Sequence, residues 1–216
     1  EHGQPVEELE LCHADLLKDE GWREAVDSCD LVLHVASPIP RRRPKHEDAL
    51  VPAARDGTVR VLRAAAAAGV KRVVLTSSLA AVCMGNSTPG KVFTEADWSL
   101  PEHPIGPYHR AKTLAERAAW EFAAGPENTG PFELVAINPG DVFGPLLDRE
   151  YHASAQAIHS IMGKGALGVA RVDMPVVDVR DVAAAHVEAM LVPAAAGERF
   201  CCSAGVLSMR EIAFIL

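Results

Sequence analysis

The feature that most restricts the fold is a regular alternation of short apolar runs with segments of helix length. Residues 31–36, 72–77 and 132–138 are nearly unbroken apolar runs, with no polar residue at every second position. Runs of that kind read as strands buried on both faces. Between them lie segments that read as helices: 19–28, then 47–68 closed by Gly69, then 108–124 closed by Gly125-Pro126. A glycine just past the last periodic residue is a C-terminal stop. The pattern continues with a short strand at 9–13, a helix at 151–162, a strand centred on 176–177, a helix at 179–191, a strand at 199–202 and a last helix opened by Ser208. Residues 81–107 and 139–147 are rich in Gly and Pro and read as irregular. Strands alternating with helices pair in parallel through right-handed crossovers. The expectation is an α/β fold with a doubly wound, Rossmann-type parallel sheet. A length of 216 residues suits a single domain, 1–216, with a real core.

Charge and cysteine usage exclude several classes. The net charge of −8 disfavours non-specific nucleic-acid binding, which needs Lys and Arg to replace counterions. No apolar stretch is long enough to span a bilayer. Residues 1–5 lack the basic start and apolar block of a signal peptide. The five cysteines, at 12, 29, 83, 201 and 202, are odd in number and form no C-x-x-C pair. No metal site or disulfide framework is expected, and a reducing cytoplasm is the natural compartment. Cys12, Cys201 and Cys202 read as small hydrophobes in or near the core.

The chemistry centres on Tyr108 and Lys112, four residues apart at the start of a helix and therefore on one face. A free phenol has a pKa near ~10. A neighbouring ammonium lowers it, which suits a general acid for a carbonyl that receives hydride. Ser77 and Ser78 follow a buried strand, at the end where open α/β sheets place ligands. Alone, the Tyr–Lys pair reads equally as a snorkelling lysine beside a half-buried ring. Two strand ends give it context: Thr76-Ser77-Ser78 upstream and Asn138-Pro139-Gly140 downstream.

Seven segments then carry a resemblance: 14–17, 31–38, 56–65, 69–82, 108–120, 137–145 and 176–190. Together they resemble the extended short-chain dehydrogenase/reductases, in the branch of dihydroflavonol, cinnamoyl-CoA and microbial aldehyde or ketone reductases. The resemblance implies an NAD(P)H-dependent reductase of a small-molecule ketone or aldehyde. It places the carbonyl-orienting serine on Ser78, the general acid on Tyr108, and on Lys112 the lysine that tunes the phenol and binds ribose. It sets Asp15 and Leu16 beside the adenine, and Ala36, Ser37 and Pro38 along the cofactor. Thr76 and Ser77 fall next to the nicotinamide ribose, and Pro139 and Val142 next to the carboxamide. NADP is the cofactor the branch suggests, with NAD left open. Segments 83–106 and 146–174 take the substrate region, with His103, Tyr151 and Met162 as lining candidates. A homodimer through helices 47–68 and 108–124 fits the family.

Other residues have plainer readings. Asp15 equally caps the following helix. Asp181 reads as a cap or ion-pair partner, His34 as a satisfied core histidine, and Arg41, Arg42 and Arg43 as a solvated run rather than a phosphate grip. His109 shares the Tyr–Lys turn but takes no role. A nucleotide-sugar epimerase or dehydratase on the same scaffold is the alternative enzyme, and a dinucleotide- or partner-binding fragment without turnover is the alternative class.

One family element is missing: no G-x-x-G-x-x-G turn occurs in the sequence, although that turn normally receives the pyrophosphate. The expectation is therefore a Rossmann-type domain lacking its first two strands and its C-terminal part. The strand at 9–13 would then pair directly with 31–36 or stand as an open edge. Marginal stability and aggregation are expected, with a broad urea melt as their signature.

Overall fold

The computed structural model describes residues 9–39, 44–147, 154, 158, 159, 162, 168 and 170–216. In chain order the elements are α1 (Trp22–Val26), β1 (Leu31–His34), α2 (Gly57–Ala68), β2 (Arg72–Thr76), α3 (Pro107–Ala124), β3 (Glu133–Pro139), β4 (Asp141–Phe143), β5 (Asp173–Asp178), α4 (Val179–Leu191), β6 (Arg199–Cys202), β7 (Gly205–Ser208) and α5 (Met209–Ile215). The main sheet has the order β1-β2-β3-β6, parallel throughout. This is the α/β architecture that the alternation of runs predicts.

The unbroken apolar runs sort by parity onto two faces. Val73, Leu75 and Leu134 pack under α2 and α3 with Leu62, Ala65, Ala66, Ala119 and Phe122. Val74, Val135 and Ile137 face the other way, against Ala189 of α4 and Ala195. The loop before β3 lies close on the end of α2 at a glycine: a Cβ on Gly130 would sit 2.2 Å from the Ala66 carbonyl oxygen. Gly69 ends α2 in the left-handed region, at φ 74°, with its N–H directed at Ala65 and Ala66 carbonyls.

Several elements differ from the sequence expectation. The helix read as 47–68 begins near Val51, and its first turn, Pro52–Asp56, is a wide π-type turn. Pro52 is tolerated there because a first-turn N–H has no helical partner to lose. Residues 9–13 form no strand, and Leu9 and Leu11 are exposed. They neither pair with β1 nor stand as an edge strand, because an extended segment needs a ladder partner and none reaches them. Cys12 is exposed rather than in the core. Among the described residues the main sheet has β1 and β6 at its edges, and a groove of about 290 Å³ lies alongside β1, lined in part by Trp22, Val26, Leu33 and Val35.

A second small sheet, order β4-β5-β7, was not legible beforehand. β4 and β5 are parallel, while β5 and β7 are antiparallel. β4 is three residues long and lies inside what reads as a turn-rich loop. Gly140 makes this sheet possible: its N–H bonds the Cys202 carbonyl at 3.0 Å, and any Cβ there would lie 2.2 Å from the Pro175 carbonyl oxygen. Asp178, not Asp181, caps α4, accepting the Arg180 N–H at 2.8 Å. Ser208 caps α5 in a reciprocal capping box with Glu211. The helix expected at 151–162 lies largely outside the described residues. Among the described residues no helix is long and apolar enough to cross a membrane.

Candidate active site

Because β1, β2 and β3 are parallel, their C-terminal ends open on the same side of the sheet. Ala36, Ser37 and Pro38 follow β1, Ser77 and Ser78 follow β2, and Pro139 closes β3. Helix α3 starts with Pro107, after Gly106 at a positive φ of 90°. The Tyr108 ring packs on the cluster of Leu50, Val51, Ala54, Ala111 and Ala115, edge-on to His109 at 5.7 Å between ring centres.

One turn later Lys112 is buried, and its Nζ donates to the Thr76 carbonyl at 2.9 Å. Burial pushes the ammonium down to about 8, against the opposing charge of Glu116. His34, also buried, hydrogen-bonds Thr58 at 3.2 Å as a core histidine should. Burial, and then the Lys112 charge, lower it to about 4, so it is neutral around pH 7. A space of about 10 Å³, roughly one water molecule, lies among Ala36, Ser37, Thr76, Ser77, Lys112 and Glu116.

Ser78 is extended and caps the short 3-10 turn Leu79–Ala81, accepting the Ala80 N–H at 3.1 Å. Its Oγ also lies 3.4 Å from the Pro139 carbonyl oxygen. Burial raises the Tyr108 phenol pKa, and the Asp141 charge raises it further, while a hydrogen bond from Ser78 works the other way. The expected lowering by Lys112 is therefore not the arrangement found. The ammonium is engaged by a backbone carbonyl instead, and desolvation dominates the phenol. A raised phenol pKa keeps the proton in place at neutral pH, which suits an acid rather than a base.

The remaining expected residues scatter more. Asp15 accepts the Leu17 N–H at 2.9 Å, closing its own turn, in keeping with a capping role. Leu16 packs on the start of α2, where a Cβ on Gly57 would lie 2.9 Å from it, and its carbonyl accepts from Arg60 at 2.8 Å. Neither lines the space beside Lys112. Val142 pairs with Val177 across β4 and β5. His103 is exposed, as is Met162. Tyr151 and Arg41–Arg43 lie outside the described residues.

Four further residues lie around these side chains: Glu116, Arg199 and Asp141, which sequence reasoning did not single out, and Asn138, which it used only as part of a strand end. Asn138 Nδ2 donates to the Ser78 carbonyl at 3.1 Å and to Glu116 at 2.7 Å. Arg199 Nε donates to Glu116 at 2.6 Å. Half-buried Asp141 has a raised pKa from burial, with His109 pulling it down. Glu116 was findable, since 108, 112 and 116 repeat the same four-residue step along one helix face.

Comparison with known proteins gives this geometry a family. The model of the NAD dependent epimerase/dehydratase family matches residues 1–201. The chain is 40% identical over 214 residues to cinnamoyl-CoA reductase 1 of Petunia hybrida, covering 97% of this chain and 62% of that protein. It is 38% identical to ketoreductase azaE of Aspergillus niger, covering 92% of this chain and 63% of the relative. Among solved structures, yeast methylglyoxal/isovaleraldehyde reductase Gre2 complexed with NADPH superposes with a TM-score of 0.80 and 31% identity, over 91% of this chain and 64% of that one. Vestitone reductase from alfalfa superposes with a TM-score of 0.74 and 28% identity, over 92% and 62%. The chain thus spans somewhat under two thirds of the length of these relatives. With a parallel sheet, strand ends that gather Ser78, Tyr108 and Lys112, and a family match over residues 1–201, the chain belongs to the NAD dependent epimerase/dehydratase family.

Proposed function

We propose that this chain carries the carbonyl-reducing site of an NADPH-dependent reductase acting on a small-molecule aldehyde or ketone. The observation that carries the reading is the placement of Ser78 at the end of β2, held by Asn138 and the Ala80 N–H, with Tyr108 in the first turn of α3 and buried Lys112 one helical turn on, its Nζ on the Thr76 carbonyl at 2.9 Å. Relatives named as reductases, and a neighbour solved with NADPH, support the reaction class and the choice of NADP over NAD.

The residues present fit the nicotinamide-ribose end of such a cofactor. Ala36 and Ser37 are small, and Lys112 brings a buried ammonium beside the Thr76 carbonyl, all around one water-sized space at the strand ends, while the Thr76 and Ser77 hydroxyls are held by His186 and Glu116. Pro38 continues the β1 end, Pro139 and Val142 flank it at β3 and β4, and Asp15 and Leu16 are assigned to the adenine end. When bound, the cofactor supplies hydride. The Ser78 hydroxyl then holds the carbonyl oxygen, and the Tyr108 phenol donates a proton to it. Lys112, held on the Thr76 carbonyl, would bind the ribose hydroxyls.

The test is a turnover assay on the chain with NADPH, following loss of nicotinamide absorbance. Aromatic and aliphatic aldehydes, ketones and CoA thioesters are set against UDP-sugars. Oxidation with carbonyls and none with UDP-sugars is expected. Conversion of a UDP-sugar would point to the epimerase or dehydratase alternative and overturn the reductase reading.

A further inference from the structure

Among the described residues Glu116 is a fully buried charged side chain that makes four polar contacts. Its Oε2 accepts from the Ser77 hydroxyl and from Asn138 Nδ2. Its Oε1 accepts from Arg199 Nε at 2.6 Å and from the Trp120 indole at 3.3 Å. Arg199 is itself buried, stacks on Trp98 at 3.8 Å, and donates to the carbonyls of Glu95 and Asp97. Burying an ion pair costs several kcal/mol per ion in desolvation, so packing alone does not account for a carboxylate here. Its partners lie where the site is built. Ser77 precedes Ser78, and Asn138 precedes Pro139 while also holding the Ser78 carbonyl. Lys112 is four residues back on the same helix and lines the same space.

We propose that Glu116 is a positioning residue of this site, clamping the β2 and β3 ends that carry Ser78 and Pro139 and supplying the counter-charge for the Lys112 ammonium. The inference rests on the reductase reading for its functional meaning. The charged and titratable groups around Lys112 are few. Glu116 faces it from α3 and His34 from β1, and Arg199 stands behind Glu116 from β6. His34 is neutral near pH 7, and Asp141 acts on Tyr108. Glu116 is thus the anion that sustains the ammonium against burial.

The experiment is a pH titration of Lys112 by NMR on the isotopically methylated chain, with no cofactor or substrate added. Its outcome is therefore independent of whether the chain reduces carbonyls. In Glu116→Gln the Lys112 midpoint should fall by about one unit, a tenfold loss of ammonium at alkaline pH. Glu116→Gln with Arg199→Gln removes both charges, so that neither is left buried alone, and should give a smaller fall in the same direction, because a cation that opposes the ammonium is lost with the anion. A folded variant with a lower melting temperature but an unmoved Lys112 midpoint would show that Glu116 is structural only, and would overturn the proposal.

Discussion

Tyr108→Phe is expected to lower carbonyl reduction by about 1,000-fold, within the range for loss of a positioned proton donor, while leaving the melting curve unchanged. The ring's packing on Leu50, Val51 and Ala54 survives the substitution. Only the hydroxyl is lost. The pH dependence follows from the lysine. Lys112 is depressed to about 8 in the folded chain, so it carries charge below that pH and loses it above. Reduction should be flat at neutral pH and fall on an alkaline limb near 8, before the phenol itself titrates. Steady-state rates of both proteins across pH check this. A Phe variant within tenfold of the parent would remove Tyr108 from the chemistry.

Arg72→Met should be the most destabilising single change outside the site. Arg72 opens β2 on the α4 side of the sheet and is buried. Its Nη1 donates to the carbonyls of Ala189, Met190 and Val192 at 2.9, 3.1 and 2.8 Å. These carbonyls lie at the C-terminal end of α4, where helical partners run out and a cation suits the dipole. Nε also donates to Glu133 at 2.7 Å. Methionine fills the volume but leaves three carbonyls and a carboxylate short of donors. The expected cost is about 2–4 kcal/mol, carried by the helix-end carbonyls left without a donor, since the half-exposed Glu133 carboxylate regains water. In a chain of this size that lowers the melting temperature on the order of 10 °C. Thermal unfolding followed by circular dichroism measures it. A shift within about 2 °C would mean water replaces the guanidinium at little cost.

The parts of the fold that were legible are those where one local signal decides. The runs at 31–36, 72–77 and 132–138 read as strands, and β1, β2 and β3 form there, but only β2 and β3 are buried on both faces; β1, read as doubly buried, leaves Leu31 and Leu33 exposed because it lies at the sheet edge. Gly69 and Gly125 likewise set the ends of α2 and α3. Long-range partners were not legible. Residues 9–13 have strand composition but no ladder partner. The three residues of β4 carry no periodicity to read, and form a strand because β5 lies alongside and Gly140 admits the approach. In the site, the spacing of Tyr108 and Lys112 put both on one face of α3. Where Nζ points was not readable, because the Thr76 carbonyl is 36 residues away in sequence. Arg199, which meets Glu116 across 83 residues, was invisible for the same reason.

The measurement that bears most directly on the proposed site is a titration of NADPH into the chain, read by nicotinamide fluorescence, with Lys112→Met alongside. Saturable binding that weakens at least tenfold in Lys112→Met is expected, because the buried ammonium is the cationic contact at the strand ends. Tenfold corresponds to about 1.4 kcal/mol, within reach of hydrogen bonds to one charged group. Binding of equal strength in both proteins, or fluorescence that never changes, would contradict a nicotinamide site built on Lys112.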